Sequence, residues 1–390
     1  MEKTVPLYSQ HEEKYIIEMR RYFHQYPELS FQEFRTAEKI EEELKKMGLS
    51  PSRIGKTGII ADIQGKSPGK VVAIRADIDA LPVKEENTFE FKSKTEGVMH
   101  ACGHDSHIAM ALAAAKILSG MASEFSGKVR MLFQPAEERP PGGALELIRG
   151  GALDGVDYVI GQHVMSRFPA GKVATYYGPM MANADEIRIK IIGKGGHGSA
   201  PEETIDALQI ASQFVVQAQT IVSRKIAPFK PAVVTFGTFN SGFRYNIIAP
   251  YADLSGTVRT FDSETQNKIE KELKNQLEGL SLATGCRYEY DFIRGYPALI
   301  NHEEVVKVIE GVAREVLGEN SILHPDPDMG GEDFAYYVKE KPGAYYFLGV
   351  GNERKGITSP QHSPTYTVDE SALKYGTEIL VRTALKLMEP

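Results

Sequence analysis

Apolar and polar positions in the first half of the chain follow the spacing of helices in some stretches and of buried strands in others. Helical spacing runs from about residue 11 to 25 and resumes after Ser30, where Ser30-x-x-Glu33 predicts a capping box. Short apolar runs predict strands at 58–64, 70–76, 128–134 and 158–160. Helices are predicted at about 106–119, which is rich in alanine, and near 143–150. Strands and helices in succession predict an α/β fold with a mostly parallel sheet.

The pattern changes near residue 180. The predicted elements there are strand 186–192, helix 203–222, strands 232–239 and 252–260, helix 263–280 and strand 286–293. This βαββαβ order predicts an inserted α+β domain of the ferredoxin-like kind. After it, helices at 302–317, 332–339 and 369–388 accompany a strand at 345–350. We therefore expect a larger domain in two parts, 1–182 and 296–390, interrupted by an insert of residues 183–295.

Composition and charge narrow the class of partner. The 390 residues carry a formal net charge of −7 without a Lys/Arg-rich block, which argues against a nucleic-acid partner. No apolar run reaches the roughly 20 residues of a membrane span, and the polar N-terminus does not resemble a secretory signal. Two cysteines, Cys102 and Cys286, are sparse for so long a chain and indicate a reducing compartment. We expect a cytoplasmic protein with neither a nucleic-acid nor a membrane partner.

The most informative chemistry lies between His100 and His107. Cys102 and His104 stand two residues apart there, beside Asp105. A thiolate and an imidazole at this spacing can bind a transition metal. The alternative is a buried thiol next to a histidine that caps a helix, with Asp105 as an orienting or capping group.

The pair Glu137-Glu138 follows the predicted strand 128–134. Adjacent glutamates are usually solvated, but at the end of a buried strand they would raise each other's pKa unless a cation intervenes. A metal ion resolves this conflict if one glutamate binds it and the other transfers protons.

Two histidines complete a set of candidate ligands. His163 follows the predicted strand 158–160, which places it at a strand end, and His362 lies in the last long loop. Either one alone is typical of an ordinary structural histidine. The whole set supplies five donors, from Cys102, His104, Glu138, His163 and His362. Five donors exceed one closed tetrahedral site and suit two metal ions that share a bridging water or carboxylate.

A glycine-rich run in the insert offers a competing hypothesis. Gly193-x-Gly195-x-x-Gly198 follows a strand and matches the dinucleotide-binding fingerprint, as in a nucleotide-dependent oxidoreductase. The next predicted strand, however, does not end in an acidic residue that could bind a ribose hydroxyl. The alternatives are a loop that presents His197 to a reacting group and a plain glycine turn whose histidine has no role. Arg259, at a predicted strand end, is suited to a bidentate carboxylate contact.

Seven short runs occur in a characteristic order along the chain. They are His24–Ser30, Arg75–Pro82, His100–Asp105, Gln134–Glu138, Gly195–Pro201, Gly330–Phe334 and His362–Pro364. Together they resemble the dinuclear-metal aminoacylase and carboxypeptidase family, and best its amidohydrolase branch of hippurate hydrolases, N-acyl-amino-acid deacylases and auxin-conjugate hydrolases. Many members of the wider family have His-x-Asp where this chain has Arg75-Ala76-Asp77, so the ligand set must follow the Cys-x-His branch.

The resemblance implies a role for each candidate. The implied ligands of two divalent ions per subunit (zinc, manganese, nickel or cobalt) are Cys102, His104, Glu138, His163 and His362. Glu137 is implied to be the general base, and Asp77 to support the site without binding metal. The insert is implied to be a lid and dimerisation domain. From it His197 would reach the active site of the partner subunit, and Asn246 and Arg259 would contact substrate.

These roles predict hydrolysis of the amide bond of N-acyl amino acids, such as acetyl or benzoyl derivatives, by a homodimer or higher homo-oligomer. A metal-bound hydroxide is expected to attack the carbonyl after Glu137 has taken the proton, while metal and His197 stabilise the oxyanion. A carboxypeptidase or dipeptidase on the same scaffold, acting on short peptides, is the first alternative. The nucleotide-dependent oxidoreductase is the more distant one.

Overall fold

The structure is a computed structural model and describes residues 8–389. The helices are α1 (Glu13–Gln25), α2 (Phe34–Lys46), α3 (His104–Gly120), α4 (Ala144–Arg149), α5 (Ala207–Thr220), α6 (Ser263–Thr284), α7 (Glu303–Leu317), α8 (Ala335–Glu340) and α9 (Leu373–Met388). The strands are β1 (Ser52–Ile54), β2 (Gly58–Gln64), β3 (Val71–Asp77), β4 (Lys128–Gln134), β5 (Tyr158–Pro169), β6 (Val173–Ala174), β7 (Gly178–Met181), β8 (Ala184–Ile192), β9 (Gly196–His197), β10 (Ala232–Ser241), β11 (Ile247–Ile248), β12 (Tyr251–Thr260), β13 (Arg287–Tyr296), β14 (Leu299–Asn301), β15 (Ile322–Leu323) and β16 (Gly343–Gly351). Across residues 8–389, none of the helices is both long enough and apolar enough to cross a bilayer.

The chain forms two compact units. The first extends to Met180 and includes Ile300–Asp326 and the chain from Asp333 onward. The second comprises Met181–Leu299 together with Pro327–Glu332. The functional domain bounds given above stay a prediction.

An eight-stranded sheet forms the core of the first unit, in the order β1-β2-β4-β3-β5-β16-β6-β15. Its centre is parallel, because β3 pairs in parallel with β4 and β5, and β5 with β16. Antiparallel pairs of β1 with β2, β2 with β4 and β6 with β16 extend it on either side. Every residue of β16 is buried, as expected of a strand covered on both faces. The predicted α/β class with a mostly parallel sheet is confirmed.

Helix α3 is the most deeply buried helix of this unit. Every residue from His104 to Ala115 is buried, and the helix contacts β3 as well as α1 and α9. Its many alanines leave little side-chain volume between the helix axis and its neighbours. Because α3 is packed on several sides, its first residue, His104, is held in a fixed position.

The second unit has a core of its own. Strands β8, β10, β12 and β13 form an antiparallel sheet in the order β10-β12-β8-β13, with α5 between β8 and β10 and α6 between β12 and β13. On β8 the buried residues Ile187, Ile189 and Ile191 alternate with less buried charged residues. A period of two buries one face of a sheet and leaves the other in water.

The predicted capping box is wrong. Helix α2 begins at Phe34, but the two side chains assigned to its cap are turned toward tertiary partners. The Ser30 hydroxyl donates to Asp79 at 2.6 Å, and the Glu33 carboxyl accepts the backbone N–H of Ala136 at 2.9 Å. Ser30 and Glu33 therefore make long-range contacts and do not form a local helix cap.

The predicted position of His163 at a strand end is also wrong. Strand β5 continues to Pro169, and His163 lies inside it, paired with Phe347 of β16. The apolar run in the sequence stops at Gly161. In the structure a Cβ at Gly161 would lie 2.7 Å from the Tyr345 ring, so this glycine makes room for a packed ring and the strand goes on.

Candidate metal centre

The loop before α3 places the first donors. Gly103 has a φ of +91°, and a Cβ there would lie 2.3 Å from Val164, so only glycine fits this turn. On either side of it, Cys102 Sγ and a ring nitrogen of His104 lie within 4.8 Å of each other and of a ring nitrogen of His163. Cys102 Sγ is 3.3 Å from His163 Nε2.

The glutamate pair follows a strained turn after β4. Ala136 has a φ of +54°, a region that a residue with a Cβ seldom adopts. One carboxylate oxygen each of Glu137 and Glu138 lies within 4.8 Å of the other and of a His104 ring nitrogen. The distance from Glu138 Oε1 to His104 Nε2 is 3.8 Å. The strained turn thus brings both glutamates to the imidazole at the start of α3.

His362 joins from the C-terminal part of the chain. It too has a positive φ, of +64°, and its backbone N–H donates to the Ala101 carbonyl at 2.8 Å. Its Nε2 is 3.4 Å from Glu138 Oε1, and Cys102, Glu138 and His362 form a further group of donors within 4.8 Å. The five predicted ligands therefore converge. The His362 side chain is 56% exposed, so it forms the open side of the cluster.

His107 and Asp77 hold His163 from behind. His107 Nδ1 donates to Asp77 Oδ1 at 2.5 Å, and its Nε2 accepts the backbone N–H of Val164 at 2.9 Å. Both ring nitrogens of His107 are thus engaged. His163 Nδ1 donates to the Val164 carbonyl at 2.7 Å, which leaves the Nε2 lone pair facing Cys102. Asp77 reaches the donor cluster through His107.

Arg75 fixes Asp77 in turn. Its Nη1 is 2.6 Å from Asp77 Oδ2, its Nη2 is 2.7 Å from Asp333 Oδ1, and its Nε donates to Gln134 at 2.9 Å. Burial opposes ionisation of Asp77, but His104 and Arg75 hold the pKa of this carboxyl well below its usual value. The buried guanidinium balances two buried carboxylates and leaves the donors in front of them undisturbed.

The donor set fits divalent cations. Within residues 8–389, His104 Nε2 and Glu138 Oε1 are buried atoms that lack a hydrogen-bond partner, which is costly unless a ligand satisfies them. Burial, then Glu138 and Glu137, raise the pKa of the Cys102 thiol well above its ordinary value. A cation reverses this effect, because a coordinating thiol is deprotonated. Sulfur, nitrogen and oxygen donors together suit zinc or a transition metal.

The geometry also selects a tautomer for His104. Burial favours its neutral form, but Asp77 and Asp79 raise the pKa of His104 to about 10. Its Nδ1 lies 3.0 Å from the Asp79 backbone carbonyl, an acceptor that keeps a proton on Nδ1. At this pKa the metal-free protein carries a proton on Nε2 as well, and a bound cation would displace that proton and take the Nε2 lone pair.

Three predicted site residues belong to the second unit. His197, in β9, is exposed, and its Nδ1 is 2.7 Å from the Ser199 hydroxyl. The residue after His197 donates its backbone N–H to the Asn246 carbonyl at 2.9 Å, so these two candidates are neighbours. Asn246 Oδ1 is buried and, in the described part of the chain, without a hydrogen-bond partner. Arg259, in β12, is half-buried.

The glycine run has a structural explanation. A Cβ at Gly193 would lie 2.1 Å from the Ile205 carbonyl oxygen, and one at Gly198 would lie 3.0 Å from the Asn246 carbonyl oxygen. These glycines allow backbones to approach closely. The run leads into β9 and a short 3₁₀ turn, whereas a dinucleotide fingerprint opens a helix whose N-terminus binds the pyrophosphate. The fold therefore does not support the oxidoreductase alternative.

Three residues that support the centre were not among the predicted site residues: Glu33, Asp79 and His107. His107 lies three residues after His104 on a buried helix, and this spacing, which puts both side chains on one face, was an available signal. Asp79 follows Asp77 at the end of β3, where ligands and their supports are expected. Glu33 carried only the misleading signal of a capping box.

A buried set of thiol, imidazole and carboxylate donors beside a second carboxylate, on a mostly parallel α/β sheet, defines the class of metal-dependent hydrolases. The chain belongs to Peptidase family M20/M25/M40, whose family model matches residues 73–386. The family resemblance noted from the motifs is thereby confirmed.

Relatives cover most of the chain. It is 48% identical over 290 residues to the N-acyl-L-amino acid amidohydrolase of Geobacillus stearothermophilus, covering 74% of this chain and 78% of that one. It is 41% identical over 368 residues to thermostable carboxypeptidase 1 of Saccharolobus solfataricus, covering 93% of each. The crystal structure of the Bacillus subtilis YXEP protein, described as a dinuclear metal binding peptidase from the M20 family, has a TM-score of 0.86 and 34% identity. That match covers 97% of this chain and 99% of the other.

Proposed function

We propose that this metal-dependent hydrolase of amide bonds acts on N-acyl amino acids, including acetyl and benzoyl derivatives. The proposed ligands of two divalent ions per subunit are Cys102, His104, Glu138, His163 and His362. The observation that carries the proposal is that donors far apart in the chain converge beside the buried carboxylate of Glu137. The 48% identity to an N-acyl-L-amino acid amidohydrolase supports the substrate class.

Glu137 is the proposed general base. When bound, the divalent ions polarise the amide carbonyl and make a water molecule more acidic. Glu137 accepts a proton from that water as the water oxygen bonds to the carbonyl carbon. It then donates the proton to the amide nitrogen as the C–N bond breaks. The products are a carboxylic acid and an amino acid with a free amine.

We assign the lid and dimerisation role, within the bounds 183–295, to the second unit, whose βαββαβ order is that of a ferredoxin-like domain. In this assignment His197 stabilises the oxyanion in the active site of the partner subunit, and Asn246 and Arg259 bind the substrate carboxylate. Among the described strands β10 pairs only with β12, and Phe239 and Phe243 nearby are exposed. An open strand edge beside exposed aromatic rings supports a homodimer or higher homo-oligomer.

The proposed setting is the cytoplasm, and the proposed native metal is zinc, manganese, nickel or cobalt. Cys102 and Cys286 are both free and buried in the described chain, which supports a reducing compartment. A thiolate, imidazoles and a carboxylate are compatible with each of the four metals.

The proposal is tested by metal analysis combined with an activity screen. The purified protein is assayed on hippurate and a panel of N-acetyl amino acids, before and after chelation and after re-addition of each metal separately. We expect about two metal ions per chain, activity that chelation abolishes, and recovery with at least one metal. Full activity in protein shown to be free of metal would refute the proposal.

Peptide hydrolysis on the same scaffold is the second candidate, favoured by the 41% identity to a carboxypeptidase. The two are separated by kcat/KM on matched substrates that differ only in the acyl group, for example N-acetyl-leucine against alanyl-leucine. A kcat/KM at least about tenfold higher for the dipeptide, worth about 1.4 kcal/mol of transition-state binding, would establish the carboxypeptidase or dipeptidase function instead.

A further inference from the structure

Three consecutive backbone N–H groups at the turn after β4 donate to two buried side chains. The N–H of Ala136 donates to Glu33 Oε1 at 2.9 Å, that of Glu137 to Asp79 Oδ1 at 3.1 Å, and that of Glu138 to Asp79 Oδ2 at 3.0 Å. We propose that Glu33 and Asp79 form a carboxyl cradle that positions the general base and the adjacent metal ligand. The cradle rests on the proposed function and adds two positioning residues to it.

Asp79 links both halves of the centre. Besides the two N–H groups of the glutamate pair, its Oδ2 accepts the Ser30 hydroxyl at 2.6 Å, and its backbone carbonyl accepts from His104 Nδ1 at 3.0 Å. The residue is 1% exposed. One buried residue thus fixes the backbone of Glu137 and Glu138 and the tautomer of His104.

Glu33 holds the strained residue of the turn. Ala136 has a φ of +54°, a strained conformation for a residue with a Cβ that persists only where surrounding contacts enforce it. Glu33 Oε1 accepts the Ala136 N–H and also that of Phe31, at 2.8 Å, while Oε2 accepts the Thr57 hydroxyl at 2.8 Å. The carboxyl group is therefore pinned on both oxygens.

The cradle residues are acidic because they accept hydrogen bonds from these backbone N–H groups. These N–H groups lie just beyond the last ladder residue of β4, Gln134, and face the interior, where an unpaired N–H is costly. A carboxylate can accept on both oxygens, whereas a side-chain amide can accept on only one. Acidic side chains therefore satisfy this run of N–H donors.

The two cradle residues use their oxygens differently, and this predicts an asymmetry. Glu33 receives both backbone donors on one oxygen and a rotatable hydroxyl on the other, so glutamine can reproduce its contacts. Burial, then Asp79, raise the pKa of Glu33 to about 7, and glutamine resembles the protonated acid. Asp79 receives one backbone N–H on each oxygen, so asparagine must turn its NH₂ group toward one of them.

The first test is amide hydrogen exchange of the metal-free protein, which requires neither metal nor substrate. In the wild type, the amides of 136–138 should exchange as slowly as those of β4, although they lie outside the strand. Asp79→Asn should speed exchange in peptides covering 135–139, and Glu33→Gln should not. Circular dichroism of both variants checks that they are folded.

The second test is steady-state kinetics at saturating metal. Asp79→Asn should lower kcat by about 10²-fold, as expected for a misplaced base, with KM near the wild-type value. Glu33→Gln should retain nearly full kcat, whereas Glu33→Ala should lose it. A general loss of packing would instead lower the stability of all three variants without this split between kcat and KM.

The outcomes separate the cradle from the proposed function. Equal effects of Asp79→Asn and Glu33→Gln, or no effect of either, would overturn the cradle. If Asp79→Asn does not fold, amide exchange in the wild type tests the cradle. Fast exchange at 136–138 would overturn the proposal. A wild type inactive on every acyl and peptidyl substrate would refute the proposed function, while the exchange result would still stand for or against the cradle.

Discussion

Replacing His107 by leucine tests whether the donor cluster is held by the chain of contacts behind it. Leucine keeps a similar volume in the buried space under His163 but removes both ring nitrogens. Asp77 Oδ1 then loses its 2.5 Å donor, and the Val164 N–H loses its 2.9 Å acceptor. Each orphaned buried group costs about 1–3 kcal/mol, so we expect the free energy of unfolding to fall by about 2–6 kcal/mol.

His107→Leu should also weaken metal binding, although His107 is not a proposed ligand. Residues that orient a ligand typically contribute 10–100-fold in metal affinity. His107 Nε2 accepts the backbone N–H of Val164, which fixes the position of that residue. The Val164 carbonyl in turn accepts from His163 Nδ1, so that His163 Nε2 faces Cys102. Loss of the first contact loosens the second.

The assays are urea unfolding of the metal-free protein and competition with a chromophoric chelator. His11→Leu is the matched control, because His11 is exposed, and it should change both quantities little. A loss of stability below about 1 kcal/mol together with unchanged metal affinity in His107→Leu would refute the reasoning. A loss of stability without a loss of affinity would refute only the link to His163.

Three further predictions follow from the proposed roles. Glu137→Gln should retain metal, measured by elemental analysis, but lose turnover by about 10²-fold or more, and full activity would reject Glu137 as the base. His197→Ala should lower activity without loss of metal, and mixing it with Glu137→Gln subunits should restore part of the activity if His197 acts across a dimer. Because burial, then Asp79, raise the pKa of Glu33 to about 7 from 4.5, the folded metal-free protein holds a proton that the unfolded chain releases. Its free energy of unfolding, relative to that of Glu33→Gln, should therefore fall as the pH rises from 4.5 to 7 and then level off, and a rise over this range would contradict the assignment.

Much of the sheet could be predicted, because its strands are short apolar runs bounded by turn residues. The ranges predicted for β2 and β4 match the structure, and α3 begins only two residues before its predicted start. The prediction for β5 stopped early because Gly161 and Gln162 interrupt the apolar run. What continues the strand is pairing with β16, a partner nearly two hundred residues later that local periodicity cannot reveal.

The candidate site, like the sheet, could be predicted only in part. Its donors could be named because thiol, imidazole and carboxylate groups recur as a set along the chain, although the strand-end position predicted for His163 is wrong. Among their supports, Asp77 was predicted and the positions of His107 and Asp79 gave a signal, but Glu33 could not be predicted. Glu33 accepts the N–H of Ala136 across 103 residues of sequence, and an acid that serves a distant backbone leaves no periodic pattern. The sequence around Glu33 predicted a capping box instead, but in the structure its carboxyl group makes tertiary contacts.

Arg75 shows how a change in one position of the site constrains the rest. Where many members of the wider family have histidine, a buried guanidinium here spans Asp77 and Asp333. The Arg75 guanidinium is positively charged and cannot bind a metal ion. It stabilises instead the Asp77 carboxylate, which orients His107. The proposed ligands then come from elsewhere, and Cys102 is the proposed thiolate donor. That exchange of a neutral imidazole for an anionic sulfur adds negative charge and softness to the centre, so we expect it to favour thiophilic metals over magnesium or calcium.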